Sequence, residues 1–242
     1  MTILTRLGQV LKTDISTDVI FKKKNIEEKE YDLLADMRKR RSIYALSNRV
    51  SHSPEYLTEL IKQAVRCCPS AQNAQSARVV ILLEHAHYKF WEMVRNIQRN
   101  QLPERIFEGA SVKLDRCSSA YGTVLFFEDQ AVIQTLQKQK PLQAHDFEIW
   151  SEQTSGMVQF AVWTALSSTG LGASLHHYNP NINHETAKMF DLPDSWQFKS
   201  QLVFGSIVKP AIAKSELEDD CLFKVFLCTR QISQNPYPIR IL

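Results

Sequence analysis

The stretch 146–168 carries the longest helical pattern in the chain, and its second half, 156–166, is apolar on nearly every side. A surface helix hides one stripe and shows the rest to water. A helix that is apolar all round must be covered from more than one direction, so the fold has to be built about it. Gly170 stands where such a helix needs a residue that accepts a left-handed backbone just past its end.

The 242 residues, 44% hydrophobic and 23% charged, describe a soluble globular chain of one domain or at most two. That length buries a core without disulfide staples. Residues 1–25 read as an extension closing in Lys22-Lys23-Lys24, and 26–242 as one domain. An amphipathic helix is expected over 26–39, and a second from Pro54, capped by Ser53 and stopped by Pro69. Residues 79–83 form a short apolar run that reads as a buried strand, followed by a helix over 84–100. A second strand is expected over 122–127, ending in Glu128-Asp129, then a helix over 130–139 closed by Pro141. Further on, 173–178 reads as a strand end or loop, 183–190 as a short helix and 201–208 as the last strand. Strands separated by helices of unequal length give an α+β class.

The remaining bulk features exclude more than they assign. A formal net charge of +3 argues neither for nor against an anionic partner. Cys67, Cys68, Cys117, Cys221 and Cys228 are odd in number, with no C-x-x-C pair and no zinc spacing, which fits a reducing cytoplasm. The N-terminus carries Arg6 and no uninterrupted apolar run, so it does not read as a secretory signal. No stretch is apolar enough to span a membrane, since 147–171 is interrupted by Glu148, Glu152, Gln153 and Gln159.

Two segments carry chemistry. After the second helix, Pro69-Ser70-Ala71-Gln72-Asn73-Ala74-Gln75-Ser76-Ala77-Arg78 alternates small residues with three side-chain amides. Amides donate and accept, so Ser70, Asn73 and Gln75 suit the pyrimidine edge and ribityl hydroxyls of a flavin. A polar loop capped by its own backbone is the plain alternative. Upstream, Arg40-Arg41-Ser42 offers planar guanidinium forks beside a hydroxyl, the donor set a phosphate needs. A basic last turn that favours the helix dipole, or a nucleic-acid arm through Arg38 to Arg41, uses the same residues. Gly170-Leu171-Gly172 follows a helix instead of a strand and is not a dinucleotide fingerprint. His176-His177 and His85-x-His87 lack a carboxylate or thiolate at metal spacing, so no metal site is expected. No G-x-S-x-G, H-E-x-x-H or P-loop is present.

Taken together, Arg-Arg-Ser, Pro-Ser-x-x-Asn-x-Gln and a late lysine resemble the FMN-dependent nitroreductase family over about residues 40–226. The segments Arg41-Ser42-Ile43-Tyr44-Ala45-Leu46, Tyr121-Gly122-Thr123-Val124-Leu125-Phe126-Phe127-Glu128-Asp129, Trp150-Ser151-Glu152-Gln153 and the run from Gly172 to Pro180 are similar to the subgroup of the fungal fatty-acid-repression protein. The resemblance implies an α+β fold with a central, mainly antiparallel sheet flanked by helices. It implies an intertwined homodimer with two FMN sites at the subunit interface. Arg40, Arg41 and Ser42 would then hold phosphate and ribityl, with Lys214 as the late phosphate lysine. Pro69, Ser70 and Ala71 would approach the ring from the other subunit, with Asn73 and Gln75 near its polar edge. Tyr44 stands where many relatives carry a basic residue, Glu216 where many carry an arginine, and His176 beside His177 where the subgroup often has glutamine. NADH or NADPH would supply hydride, and a nitroaromatic, a quinone or a similar small molecule would take it. No catalytic side chain and no nucleic-acid partner is implied. A non-enzymatic FMN-binding regulator in lipid or stress signalling is the alternative.

Overall fold

The structure, a computed structural model, describes residues 32–226. The expected extension, the start of the helix expected over 26–39, and Cys228 lie outside the described residues. The chain divides into two units, Met1–Pro210 and Ala211–Leu242.

In the first unit, helix α1 (Asp32–Lys39) leads into the two-residue strand β1 (Leu46–Ser47). Helix α2 (Pro54–Arg66) begins as expected, with the Ser53 hydroxyl oxygen accepting the Tyr56 backbone N–H at 3.2 Å. Pro54 costs nothing at that position, because its missing N–H would have had no partner. A tight 3-10 turn (Ala71–Asn73) precedes β2 (Ala77–Leu83), α3 (Glu84–Gln101) and α4 (Glu104–Ser118). Next come β3 (Gly122–Asp129), α5 (Gln130–Gln139) and the long α6 (Ala144–Ser168). Gly170 follows α6 with φ +83°, the left-handed conformation expected of it. The unit finishes with β4 (Gly172–His176), α7 (Asn183–Phe190) and β5 (Trp196–Ile207).

Every strand pairing is antiparallel, in the order β2-β3-β5, and β4 and β1 share the far edge of β5. Gly205 marks the place where they meet. A side-chain carbon there would run into the Ser47 carbonyl oxygen, so only glycine lets the two strands lie end to end. Strand β5 starts five residues before the expected 201, and the register slips at Lys199, between Phe126 and Phe127 of β3. Such a bulge breaks the two-residue alternation by which a strand is read.

Side chains alternate across the sheet. Toward α6 point Val124 and Phe126, Leu202 and Phe204, and Ala173, packed with Val158, Val162 and Leu166 of the helix. Each fully buried aliphatic of this set contributes about 1.5–3 kcal/mol. As expected, helix α6 is covered from more than one direction, by the sheet and by α1, α2 and α5, but Met157 and Phe160 on its outer side remain about 40% exposed.

The opposite face, under α3 and α4, is more polar. Trp91 Nε1 donates to Thr123 Oγ1 at 2.8 Å, His87 Nδ1 lies 2.9 Å from the same hydroxyl, and His87 Nε2 lies 3.2 Å from the Ser118 carbonyl. A carbonyl only accepts, so Nε2 carries the proton and Nδ1 accepts from the Thr123 hydroxyl, which in turn accepts from the indole. Burial holds His87 neutral, depressing its pKa to about 4. Each donor and each acceptor in this directed chain is thereby assigned.

The second unit is described as far as Phe226. It contains the short helix α8 (Asp219–Leu222), and its Ile212, Leu217, Leu222, Phe223, Val225 and Phe226 are exposed. Among the described residues no helix is long and apolar enough to cross a membrane.

Candidate active site

The Arg-Arg-Ser segment leaves α1 and runs extended beside β4. Ile43 N–H donates to the Ala173 carbonyl at 2.9 Å, and Ser42 forms an isolated parallel bridge with Ala173. Ile43 and Leu46 are buried, which pins the segment to the sheet end and leaves Ser42 and Tyr44 facing outward. The Arg40 guanidinium instead lies over Trp163 of α6, 4.5 Å from the ring centroid, and 5.7 Å from that of Phe160. Its Nε is buried without a hydrogen-bond partner, and burial, with Arg41 beside it, lowers its pKa. A cation on an indole face is stabilised by the ring quadrupole. Arg41 is half-buried.

Beside Tyr44 opens a cavity of about 550 Å³, walled by β4 and by the last turns of α4. Ser174 and His176 point into it because Ala173 and Leu175 face α6. Ser174 Oγ lies 2.9 Å from His176 Nε2, and Cys117 Sγ lies 3.6 Å from the same nitrogen. Tyr44 meets the His176 ring edge-on at 6.3 Å between centroids, and Tyr178 stacks on its other side at 6.2 Å. Burial depresses His176 to about 4, helped by the positive charge of His177 and Lys113. Burial also pushes the Cys117 thiol up to about 12 and the Tyr178 phenol to about 12. Near neutrality Cys117 and Tyr178 keep their protons and His176 is the deprotonated, neutral imidazole, so none of the three carries charge. The wall therefore offers shape, polarity and hydrogen bonds, and neither a thiolate nucleophile nor a ready proton carrier.

The amide loop lies on the other side of the sheet, against α6. Ser70 Oγ accepts the Gln75 backbone N–H at 3.0 Å, and Gln75 Nε2 donates to Asn73 Oδ1 at 3.0 Å. Gln72, Asn73 and Gln75 all have positive φ, between 48° and 55°. The loop is anchored from behind. Arg78 donates to the Gln75 carbonyl at 2.8 Å and pairs with Asp129 at 2.9 Å. Ser76 hydrogen-bonds the fully buried Glu128 at 2.6 Å, and burial raises the pKa of that carboxyl. Asn73 and Gln75 are exposed, Pro69 is exposed, and Ser70 and Ala71 are half-buried.

Of the residues expected from sequence, Ser42, Tyr44, His176 and His177 are thus brought together near β4. Pro69, Ser70, Ala71, Asn73 and Gln75 are not. They sit beyond the sheet, and Pro69 alone of them lines an apolar groove of about 470 Å³ that runs along Met157 and Phe160. Lys214 is exposed in the second unit. Sequence reading missed Lys113, Arg116 and Cys117, because α4 was not foreseen. Its Pro103-Glu104 start was the available signal, an acidic residue in a first turn after proline. Among the described residues no group of three or more His, Cys, Asp or Glu side chains could hold a metal ion.

Known proteins resemble this chain in sequence and in fold. The nitroreductase HBN1 of Saccharomyces cerevisiae is 32% identical over 192 residues, which span 77% of this chain and 94% of that protein. The nitroreductase CinD of Lactococcus lactis, solved with chloramphenicol, is 44% identical with a TM-score of 0.74, covering 80% of this chain and 99% of CinD. CinD has also been solved with 4-nitrophenol. A nitroreductase fold from Desulfovibrio desulfuricans, solved with FMN, is 18% identical with a TM-score of 0.60 over 82% of this chain and 99% of that one. The nitroreductase family profile itself matches residues 37–206. By its sequence and by its fold, this chain belongs to the nitroreductase family, a family of oxidoreductases.

Proposed function

We propose that the protein is an FMN-dependent oxidoreductase that works as a homodimer and reduces electron-poor aromatic molecules at the expense of NADH or NADPH. The observation that carries this reading is the split site. One protomer holds Tyr44 and the β4 cavity on one side of its sheet, and the Arg40 guanidinium and the amide loop on the α6 side. Pairing two protomers along the bare Met157–Phe160 strip would bury that strip and bring the loop of each toward the cavity of its partner.

The residues fit the cofactor. Arg40, Arg41 and Ser42 would grip phosphate and ribityl, as guanidinium forks and a hydroxyl do. The unpartnered Arg40 Nε is a donor still waiting for an acceptor. Pro69, Ser70 and Ala71 would press on the ring from the partner, and Asn73 and Gln75 would meet its polar edge. Lys214 would complete the phosphate grip. Bound FMN would supply the redox chemistry, taking hydride from NAD(P)H and passing it to a nitroaromatic, quinone or similar acceptor by a ping-pong cycle. The chain's own part is to bind, orient and shield. The neutral His176, Cys117 and Tyr178 keep competing proton and thiol chemistry out of the cavity. The 4-nitrophenol and chloramphenicol complexes of CinD support an aromatic acceptor for this chain.

The visible spectrum of purified protein tests the reading. A yellow protein that bleaches on anaerobic NAD(P)H addition is expected. A flavin that stays yellow would favour a binding-only regulator, and a colourless protein that takes up no FMN would end the cofactor assignment. Arg41→Ala should shed FMN more readily than Lys24→Ala, and equal retention would contradict the phosphate role.

A further inference from the structure

We propose that Lys113 and Arg116 make the β4 cavity a site for planar aromatic anions, with helix α4 supplying the positive charge that Tyr44 does not. The two cations are three residues apart on α4, so they share one face of that helix with Cys117, and all three line the cavity. No carboxylate is among the residues that line it. Neither cation has an ion-pair partner among the described residues. The nearby Asp115 is engaged by Arg95. Both side chains are exposed, held at the open edge, whereas the floor is made of neutral rings and hydroxyls. The field of Lys113 reaches His176 on the opposite wall.

A cavity with neutral aromatic sides and two uncompensated cations at its edge matches a ring that carries negative charge. Charge-assisted hydrogen bonds to such an anion are stronger than those to a neutral ring, and a low-dielectric wall strengthens them further. Two sources can present this chemistry: an acceptor bearing a carboxylate or phenolate, or the flavin ring after it has gained two electrons and become anionic. Only the second depends on the cofactor reading above.

Two measurements on the full chain decide the matter. Calorimetry with 4-nitrobenzoate and its neutral isostere 4-nitrobenzamide should show the anion binding about tenfold more tightly at low salt, with the gap closing as salt rises. The Lys113→Gln, Arg116→Gln double variant removes both charges and keeps a polar side chain at each position, and its melting curve verifies that it folds. Loss of the benzoate preference in this variant assigns the cations to an incoming acceptor. A more negative midpoint potential of bound FMN in the variant assigns them to the reduced ring. If the preference is absent or survives and the potential does not move, the proposal is overturned. Should the protein take up no FMN, the cofactor reading fails by itself and calorimetry alone judges this site.

Discussion

The two faces of the sheet solve different problems. Toward α6, Val124, Phe126, Leu202 and Phe204 meet Val158, Val162 and Leu166 with no polar atom among their side chains. Toward α3 and α4, Trp91, Thr123 and His87 form a hydrogen-bonded chain in which every donor has one acceptor. Aliphatic packing is large and forgiving, because many shapes fill a similar volume. A buried polar chain is smaller in net energy but permits one arrangement. The first face holds the fold together, and the second fixes where the walls of the β4 cavity stand.

Substitutions test that division. Phe204→Ala, at a fully buried position on the α6 face, should cost about 3–5 kcal/mol, read from urea unfolding. A loss under 1 kcal/mol would mean the aliphatic face is not the main source of stability. Thr123→Val keeps the shape but leaves the Trp91 indole N–H without an acceptor, at a cost of about 1–3 kcal/mol. It should also perturb the near-ultraviolet circular dichroism of the indole, and an unchanged spectrum would break the picture of a single specified arrangement.

His176 gives a smaller effect with a definite sign. Its folded pKa is about 4, against 6.5 when exposed. Between those values the unfolded chain takes up a proton that the folded chain refuses, so stability is full above pH 6.5 and falls as pH drops toward 4. His176→Gln should flatten this part of the curve, and an equally steep acid limb in the variant would refute the assignment. Met157→Glu should change unfolding of the single chain least, by under about 1 kcal/mol, since the side chain is about 40% exposed. If the proposed dimer pairs along this strip, the effect should appear in sedimentation as a shift toward monomer. A dimer that survives the charge would remove the α6 strip from the interface.

Much of this architecture was legible beforehand, where one local signal decided the outcome. Ser53 and Pro54 set the start of α2, Gly170 the end of α6, and the apolar runs gave β2 and β3. Helix α4 was not, because only Phe107, Leu114 and Cys117 of its fifteen residues are buried, and a stripe that sparse is hard to separate from a loop. The front of β5 was hidden by Gln197, Lys199 and Ser200, polar residues around a bulge that alternation does not describe. The site was legible as two motifs but not as a geometry. Which face of the sheet a strand residue joins depends on register, and register is a property of the whole sheet. Arg40 shows the same limit: its spacing suggests an anion, and tertiary packing sets it on Trp163.

Gln72, Asn73 and Gln75 carry a last consequence. The backbone they adopt costs an ordinary residue about 1 kcal/mol, and glycine would remove that cost at each position. The amides offset part of it within the chain, where Gln75 Nε2 donates to Asn73 Oδ1 and Lys140 Nζ donates to Gln72 Oε1. A variant carrying glycine at all three should therefore gain little stability, and a weaker hold on FMN in it would show that the loop spends its strain on the cofactor.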